Sequence, residues 1–104
     1  MDQAFVRERI TSLRMKKGVS EYQMSYDLGH SRGYINNISS GKSLPSVAEL
    51  FAICEYFGIT PAEFFSENVE DPKLSRELIT QISQLSSFDQ RLIQSFVERL
   101  LHEA

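Results

Sequence analysis

The feature that most constrains this fold is a pair of short helical segments joined by a glycine turn. Helical patterns at about 21–28 and 32–39 flank the sequence Leu28-Gly29-His30-Ser31. A joint of three to four residues makes two helices cross steeply. Each segment is only about two turns long, whereas an isolated helix needs about a dozen residues to persist in water. Both segments must therefore pack on other helices, which predicts a compact all-α bundle.

Capping residues divide the rest of the chain into helices. Four Ser or Thr residues precede Glu or Gln by three positions, which is the pattern of a capping box at a helix start. The four pairs are Ser20 with Gln23, Ser46 with Glu49, Thr60 with Glu63 and Ser87 with Gln90. Glycines at 18, 29, 41 and 58 follow helical patterns and predict left-handed helix ends. The predicted helices span about 3–17, 21–28, 32–39, 47–57, 61–66, 72–86 and 88–102.

Apolar spacing agrees with this division and excludes a competing strand. Val6, Ile10 and Leu13 follow the i, i+4, i+7 spacing of a helix with one buried face. No stretch alternates apolar and polar residues for long enough to predict a strand. The expected architecture is a five-helix bundle followed by a C-terminal two-helix hairpin.

Composition divides the chain at an acidic segment. Residues 67–71 are polar and acidic and end before Pro72, which predicts a linker between a domain at 1–66 and the hairpin at 72–104. The last helix carries a wide apolar stripe that two helices cannot cover alone. The residues expected to make a dimer are Leu92, Phe96, Val97, Leu100 and Leu101. The alternative is a hairpin that simply extends the core of a monomer.

Charge is distributed unevenly along the chain. The whole sequence has 11 Lys and Arg against 14 Asp and Glu, a net charge of −3 that would argue against a nucleic-acid binder. Residues 7 to 42, however, carry seven bases and three acids, which leaves −7 for the remainder. The segment of charge +4 contains the pair of short helices. This asymmetry predicts that the front half binds an anionic partner.

Helical phase indicates which side of the second short helix faces outward. Ile35 and Ile38 define the buried face. The opposite arc holds Gly33, Asn36, Asn37 and Ser40, flanked by Arg32 and Tyr34. Asn can pair with adenine and Arg with guanine in the major groove of DNA. Ser31 is the expected helix cap, and Lys42 and Lys17 are placed to meet phosphates.

The stretch from Arg9 to Phe65 resembles the XRE/Cro-like helix-turn-helix family. The resemblance rests on Leu13-Arg14, Lys17-Gly18-Val19-Ser20, Leu28-Gly29-His30-Ser31, Tyr34-Ile35, Ile38, Ser40-Gly41-Lys42, Pro45-Ser46, Leu50 and Phe57-Gly58-Ile59. It implies a lambda-repressor-like bundle that regulates transcription by binding operator DNA, commonly as a homodimer. By position it implies base reading by Arg32, Gly33 and Asn37, with backbone contacts near Ser31, Tyr34, Ser40 and Lys42.

Four positions depart from that family. Family members often have Gln where this chain has Glu21, which would repel phosphate. Many have Ala at the position of Ser25 and Glu at that of Ser39, and Gly33 brings no side chain to a base-reading position. Glu21, Gly33 and the acidic net charge favour the alternative function, a protein-interaction module on a degenerate helix-turn-helix scaffold, such as an antitoxin-like partner. The segment of charge +4, which includes Arg32 and Lys42, favours DNA.

The sequence offers little support for other functional classes. No nucleophile with a base, no paired carboxylates and no phosphate-binding glycine loop can be assembled, so an enzyme is not expected. Neither His30 nor His102 has neighbours at metal-ligand spacing, and no cofactor motif is present. The single Cys54 lies in an apolar run. With no apolar stretch of membrane-spanning length and no signal peptide, the chain is expected to be cytoplasmic.

Overall fold

The computed structural model describes residues 1–103, which form seven helices and no strand. The helices are α1 (Gln3–Lys17), α2 (Glu21–Asp27), α3 (Tyr34–Ser39), α4 (Val47–Phe57), α5 (Pro61–Phe64), α6 (Pro72–Ser83) and α7 (Ser87–Glu103). The all-α prediction is confirmed. The chain divides into two compact units, Met1–Pro72 and a second one that begins at Lys73. No helix in the described range is long and apolar enough to cross a membrane.

Two of the four predicted capping boxes are complete. Ser46 and Thr60 each accept a hydrogen bond from the backbone N–H three residues on, and Glu49 and Glu63 each accept one back from the cap backbone. At Ser20 only the first bond forms, because the Gln23 amide donates to Asp27 instead. The glycine ends are confirmed, with Gly18 and Gly58 in the left-handed conformation.

The fourth predicted box is wrong. Ser86, not Ser87, accepts from the N–H of Asp89, so α7 begins one residue earlier than expected. The Gln90 amide donates to the carbonyl oxygens of Ile82 and Leu85 at 2.8 and 3.4 Å. It therefore satisfies carbonyl groups at the end of α6, which ends at Ser83 rather than at 86. Helix α5 is likewise shorter than predicted and ends at Phe64.

The start of α3 also differs from the prediction. Gly33 precedes the helix as its cap, with no side-chain hydrogen bond, and Ser31 lies in the turn before it. The Ser31 carbonyl accepts from the Tyr34 N–H, whereas the first helical bond runs from Asn37 N–H to the Gly33 carbonyl. Arg32 and Gly33 are therefore turn residues outside α3, so the glycine does not weaken the interior of the helix.

The core of the first unit takes apolar side chains from all five of its helices. The buried residues are Ile10 and Leu13 of α1, Met24 of α2, Ile35 and Ile38 of α3, Ile53 and Cys54 of α4, Phe64 of α5, and Ile59 in the turn before α5. Each such side chain contributes about 1.5–3 kcal/mol through its removal from water. These contacts hold the six-residue α3, which is too short to persist alone.

Arg9 ties the chain after α5 to α1. Its guanidinium donates to the carbonyl oxygens of Ser66 and Val69 at 2.6 and 2.5 Å and lies 5.1 Å from the Phe5 ring centroid. Lys16 donates to the carbonyl oxygen of Glu70. Much of the segment expected to be a linker, 67–71, thus lies against the first helix, and the first unit extends to Pro72.

The second unit leaves its apolar side chains uncovered. No residue of α7 is buried, and Phe96 and Leu101 are 58% and 71% exposed. On α6, Leu74 and Ile79 are 50% and 69% exposed. The apolar face of α6 and α7 is thus a surface in the described chain.

Candidate nucleic-acid interface

A buried serine fixes α3 on α2. The Ser25 hydroxyl donates to the Glu21 carbonyl oxygen at 2.8 Å and accepts from the Ile35 N–H at 3.1 Å. Ser25 is fully buried, so both bonds are shielded from water. The departure from alanine at this position therefore supplies a polar link between the two short helices. Sequence reasoning missed this role, because the partner lies ten residues away on another helix.

The two faces of α3 have the burial that helical phase predicted. Ile35 and Ile38 are each 1% exposed, whereas Asn36 and Asn37 are exposed on the outer side. Ser40 is exposed immediately after the helix. The structure thus brings amide and hydroxyl groups to one open surface, the kind of surface that can meet the edges of bases.

Arg32 and Tyr22 form a pair beside this surface. The Arg32 guanidinium carbon lies 5.6 Å from the centroid of the Tyr22 ring. Both residues are exposed, so the contact restricts the arginine without removing its charge from solvent. Tyr22 was not among the predicted site residues. Its contact with Arg32 now includes it in the candidate site. Gly33 stands next to Arg32, and a Cβ built there would meet nothing within 4 Å.

Glu21 is bound to α3 by two hydrogen bonds. Its carboxylate accepts from the Asn36 amide at 3.2 Å and from the Ser39 hydroxyl at 2.5 Å. The Ser39 and Asn36 bonds hold the pKa of Glu21 below its usual value, with a smaller contribution from the Arg14 charge. The residue remains ionised at neutral pH and carries a negative charge next to the outer face of α3.

Tyr34 packs inward from the flank of α3. Its ring stacks on His30 with centroids 3.8 Å apart and planes 9° from parallel. The hydroxyl oxygen is buried close to the Glu49 carboxylate. Burial and the neighbouring Glu49 carboxylate raise the pKa of Tyr34. A contact between the Tyr34 hydroxyl and the phosphate backbone of DNA, as predicted from the sequence, would therefore require this hydroxyl to become exposed.

The two predicted phosphate-binding lysines lie in different surroundings. The Lys17 ammonium is 4.7 Å from the centroid of the Tyr56 ring, and the Tyr56 hydroxyl donates to Asp27 at 2.7 Å. The exposed Lys17 thus has an aromatic ring beside its ammonium, and its charge also acts on Asp27. Lys42 is exposed directly after Gly41, and its N–H donates to the Asn37 carbonyl oxygen at the end of α3. Lys42 is therefore the better placed of the two to meet a backbone phosphate near the helix.

The part of the chain that the structure describes contains no candidate metal site, because no three His, Cys, Asp or Glu residues there lie close enough together to hold an ion. Cys54 is buried in the core, and burial raises the pKa of its thiol. A raised pKa lowers the fraction of reactive thiolate. The functional candidate is therefore the polar surface of α3 with the turn before it.

Comparison with known proteins points to the same region. A family model described as a helix-turn-helix domain matches residues 8–70, which is more than half of the chain. The matched segment includes α2, α3 and the segment that Arg9 binds. Searches of curated proteins and of solved structures found no match.

Proposed function

Because the chain belongs to the helix-turn-helix family of the XRE/Cro-like type, we propose that it is a sequence-specific regulator of transcription that represses by occupying an operator. In this proposal α3 enters the major groove of double-stranded DNA. Asn36, Asn37 and Arg32 read base edges, and Lys42 contacts the phosphate backbone. Ser31 and Ser40 supply further backbone contacts from the two ends of α3.

The observation that carries the proposal is the chemistry of the outer face of α3. Its buried side is purely apolar, while its exposed side presents the amides of Asn36 and Asn37 between Arg32 and Lys42. Amide and guanidinium groups are the side chains that pair in a bidentate way with adenine and guanine. A helix surface that served only solubility would need neither this choice of groups nor their placement on one face.

We further propose that the protein acts as a homodimer through the apolar face of α7. The proposed interface consists of Leu92, Phe96, Val97, Leu100 and Leu101, which are 43% to 71% exposed. Exposed apolar surface of this extent marks an association site. The helix also carries mixed charges, with Arg91 and Arg99 against Asp89, Glu98 and Glu103, so a second copy would meet little net repulsion. Helix-turn-helix dimers read two half-sites about 34–36 Å apart, and a two-fold dimer would match the symmetry of such an operator.

The decisive experiment is selection of bound sequences from random duplex DNA by the full chain. The proposal predicts an enriched site with two-fold symmetry. Enrichment of a single half-site would contradict the proposed homodimer. Recovery of no preferred sequence would contradict the proposal that the protein is a sequence-specific regulator. The latter result would favour the alternative, a protein-interaction module on the same scaffold, which the negative charge of Glu21 beside α3 supports.

Two substitutions then separate base reading from phosphate contact. Asn37→Ala should cost about 1–3 kcal/mol on the selected site and relax the preference at one position. Lys42→Ala should weaken binding to all sequences and reduce the slope of log affinity against log salt by about one. Equal losses on selected and random DNA for Asn37→Ala, or an unchanged slope for Lys42→Ala, would contradict the roles assigned.

The dimer is tested by a chain that ends at Lys73. The first unit extends to Pro72, so this endpoint keeps the carbonyl groups of Ser66 and Val69 that Arg9 binds. Sedimentation should show a folded monomer for the shortened chain and a dimer for the full one. A shortened chain that still dimerises would move the interface into the first unit.

A further inference from the structure

The contact between Glu21 and Asn36 limits what α3 can read. An ionised carboxylate has only acceptor atoms, so the Asn36 side chain must turn its NH₂ group toward Glu21. The second Glu21 oxygen accepts from the Ser39 hydroxyl, which holds the carboxylate in place along α3. The amide of Asn36 is therefore fixed in one of its two possible orientations.

This orientation leaves one hydrogen-bond donor and one acceptor of the Asn36 amide free. One N–H of the Asn36 amide is used by Glu21, and one N–H and the carbonyl oxygen remain for another partner. Adenine presents an N7 acceptor beside an N6 donor in the major groove, which complements that pair. Guanine presents two acceptors, N7 and O6, so its O6 would face the carbonyl oxygen of Asn36 without a proton between them.

We propose that Glu21 is a positioning residue that makes Asn36 select adenine over guanine. The inference rests on the proposed function, since it concerns the base that α3 meets. It also gives a reason for an acidic side chain beside a DNA-reading helix. The carboxylate opposes phosphate and lowers affinity for every sequence, while it sharpens the choice of base at one position.

A measurement on the free protein tests the contact itself. In nuclear magnetic resonance spectra of the full chain, the side-chain amide signals of Asn36 should shift as Glu21 is protonated, at a pH below the ordinary glutamate value of 4.5. Those of Asn37, which has no bond to Glu21, should not follow the same titration. Asn36 signals that do not respond to this titration would overturn the proposal.

A measurement on DNA tests the consequence. Anisotropy binding curves are recorded on the duplex selected by the wild-type chain and on duplexes with each adenine replaced by guanine. At one position the wild type should prefer adenine by roughly 5- to 150-fold. Glu21→Gln should lose most of that preference, because a glutamine amide can donate or accept and so permits both orientations of Asn36. Asn36→Ala should lose the same preference at the same position.

The control is Glu55→Gln, which removes the same charge from an exposed position on α4. It should leave the ratio of adenine to guanine affinity unchanged, and thermal melting checks that each variant is folded. Because the readout is a ratio, a uniform gain of affinity on loss of a negative charge cancels. A Glu21→Gln chain that keeps the wild-type ratio overturns the role of Glu21 alone. A wild-type chain that selects no sequence overturns the proposed function and this inference together.

Discussion

The two units of this chain use apolar residues in opposite ways. In the first unit, Phe64, Met24 and Ile53 are completely buried, and the small core holds five helices together. In the second unit, Phe88 and Leu101 are 68% and 71% exposed, and α7 has no buried residue. The first unit therefore encloses its own apolar core. The second has an apolar face that its own two helices leave uncovered, and we have proposed that a second copy covers it.

The largest effect is expected from Phe64→Ala in the first unit. Loss of this buried ring should lower the free energy of unfolding by about 3–5 kcal/mol, because it removes apolar burial and leaves a cavity. Urea denaturation of the full chain measures the change, which should be the same at low and high protein concentration. A loss below about 1 kcal/mol would show that the core is less closely packed than described.

Phe96→Ala in the second unit should behave differently. The ring is 58% exposed in the single chain, so unfolding of the monomer at low concentration should change by less than about 1 kcal/mol. Self-association should weaken by about 2 kcal/mol or more if the ring is a central contact of the dimer. Sedimentation over a range of protein concentrations measures this change in self-association. An unchanged dimer would remove Phe96 from the interface.

Two arginines provide a smaller contrast. Arg9→Met should destabilise the first unit by about 1–3 kcal/mol, since the carbonyl groups of Ser66 and Val69 lose a charged donor. The control is Arg99→Met on α7, where the exposed pair with Glu103 contributes at most about 0.5 kcal/mol. Thermal or urea unfolding of both variants measures the difference. Equal effects would mean that Arg9 does not hold the segment after α5.

The smallest expected effect is a dependence on pH within the first unit. The Tyr56 hydroxyl and the Gln23 amide hold the pKa of Asp27 below its ordinary value of 3.8. A depressed pKa in the folded state gives stability that is present above the unfolded value and is lost as the pH falls through the folded value. Tyr56→Phe should therefore be less stable than the wild type at neutral pH, with a gap that narrows below about pH 4.

The control for this experiment is Tyr26→Phe, an exposed tyrosine on the same helix as Asp27. It should show no such convergence with the wild type at low pH. A chain that ends at Lys73 should reproduce the behaviour of the full chain, because all the groups involved lie in the first unit. A gap between wild type and Tyr56→Phe that stays constant with pH would rule out the hydrogen bond to Asp27 as its cause.

Most of the fold could be predicted from local sequence. The caps at Ser46 and Thr60 and the left-handed Gly18 depend on neighbours within a few residues, and all three are confirmed. Helix α3 begins two residues later than the sequence predicts, because Ser31 resembles a cap while its carbonyl group accepts a hydrogen bond in a turn. Local patterns do not show which of two adjacent turns continues as a helix.

The site was less predictable, because its decisive contacts join distant residues. Helical phase placed Asn36 and Asn37 outward correctly, since it needs only the positions of Ile35 and Ile38. The bond from Asn36 to Glu21 spans 15 residues and that from Arg9 to Val69 spans 60. Such pairs depend on how helices pack, and one sequence carries no pattern that joins them.

The buried hydroxyl of Ser25 has a consequence for the thermodynamics of recognition. Because it donates to the backbone of α2 and accepts from the backbone of α3, the two helices are already joined in the free protein. The conformational entropy of ordering α3 is then lost when the chain folds and not when it meets a ligand. The favourable free energy of the few polar contacts with a ligand is then offset by only a small entropy cost of ordering α3.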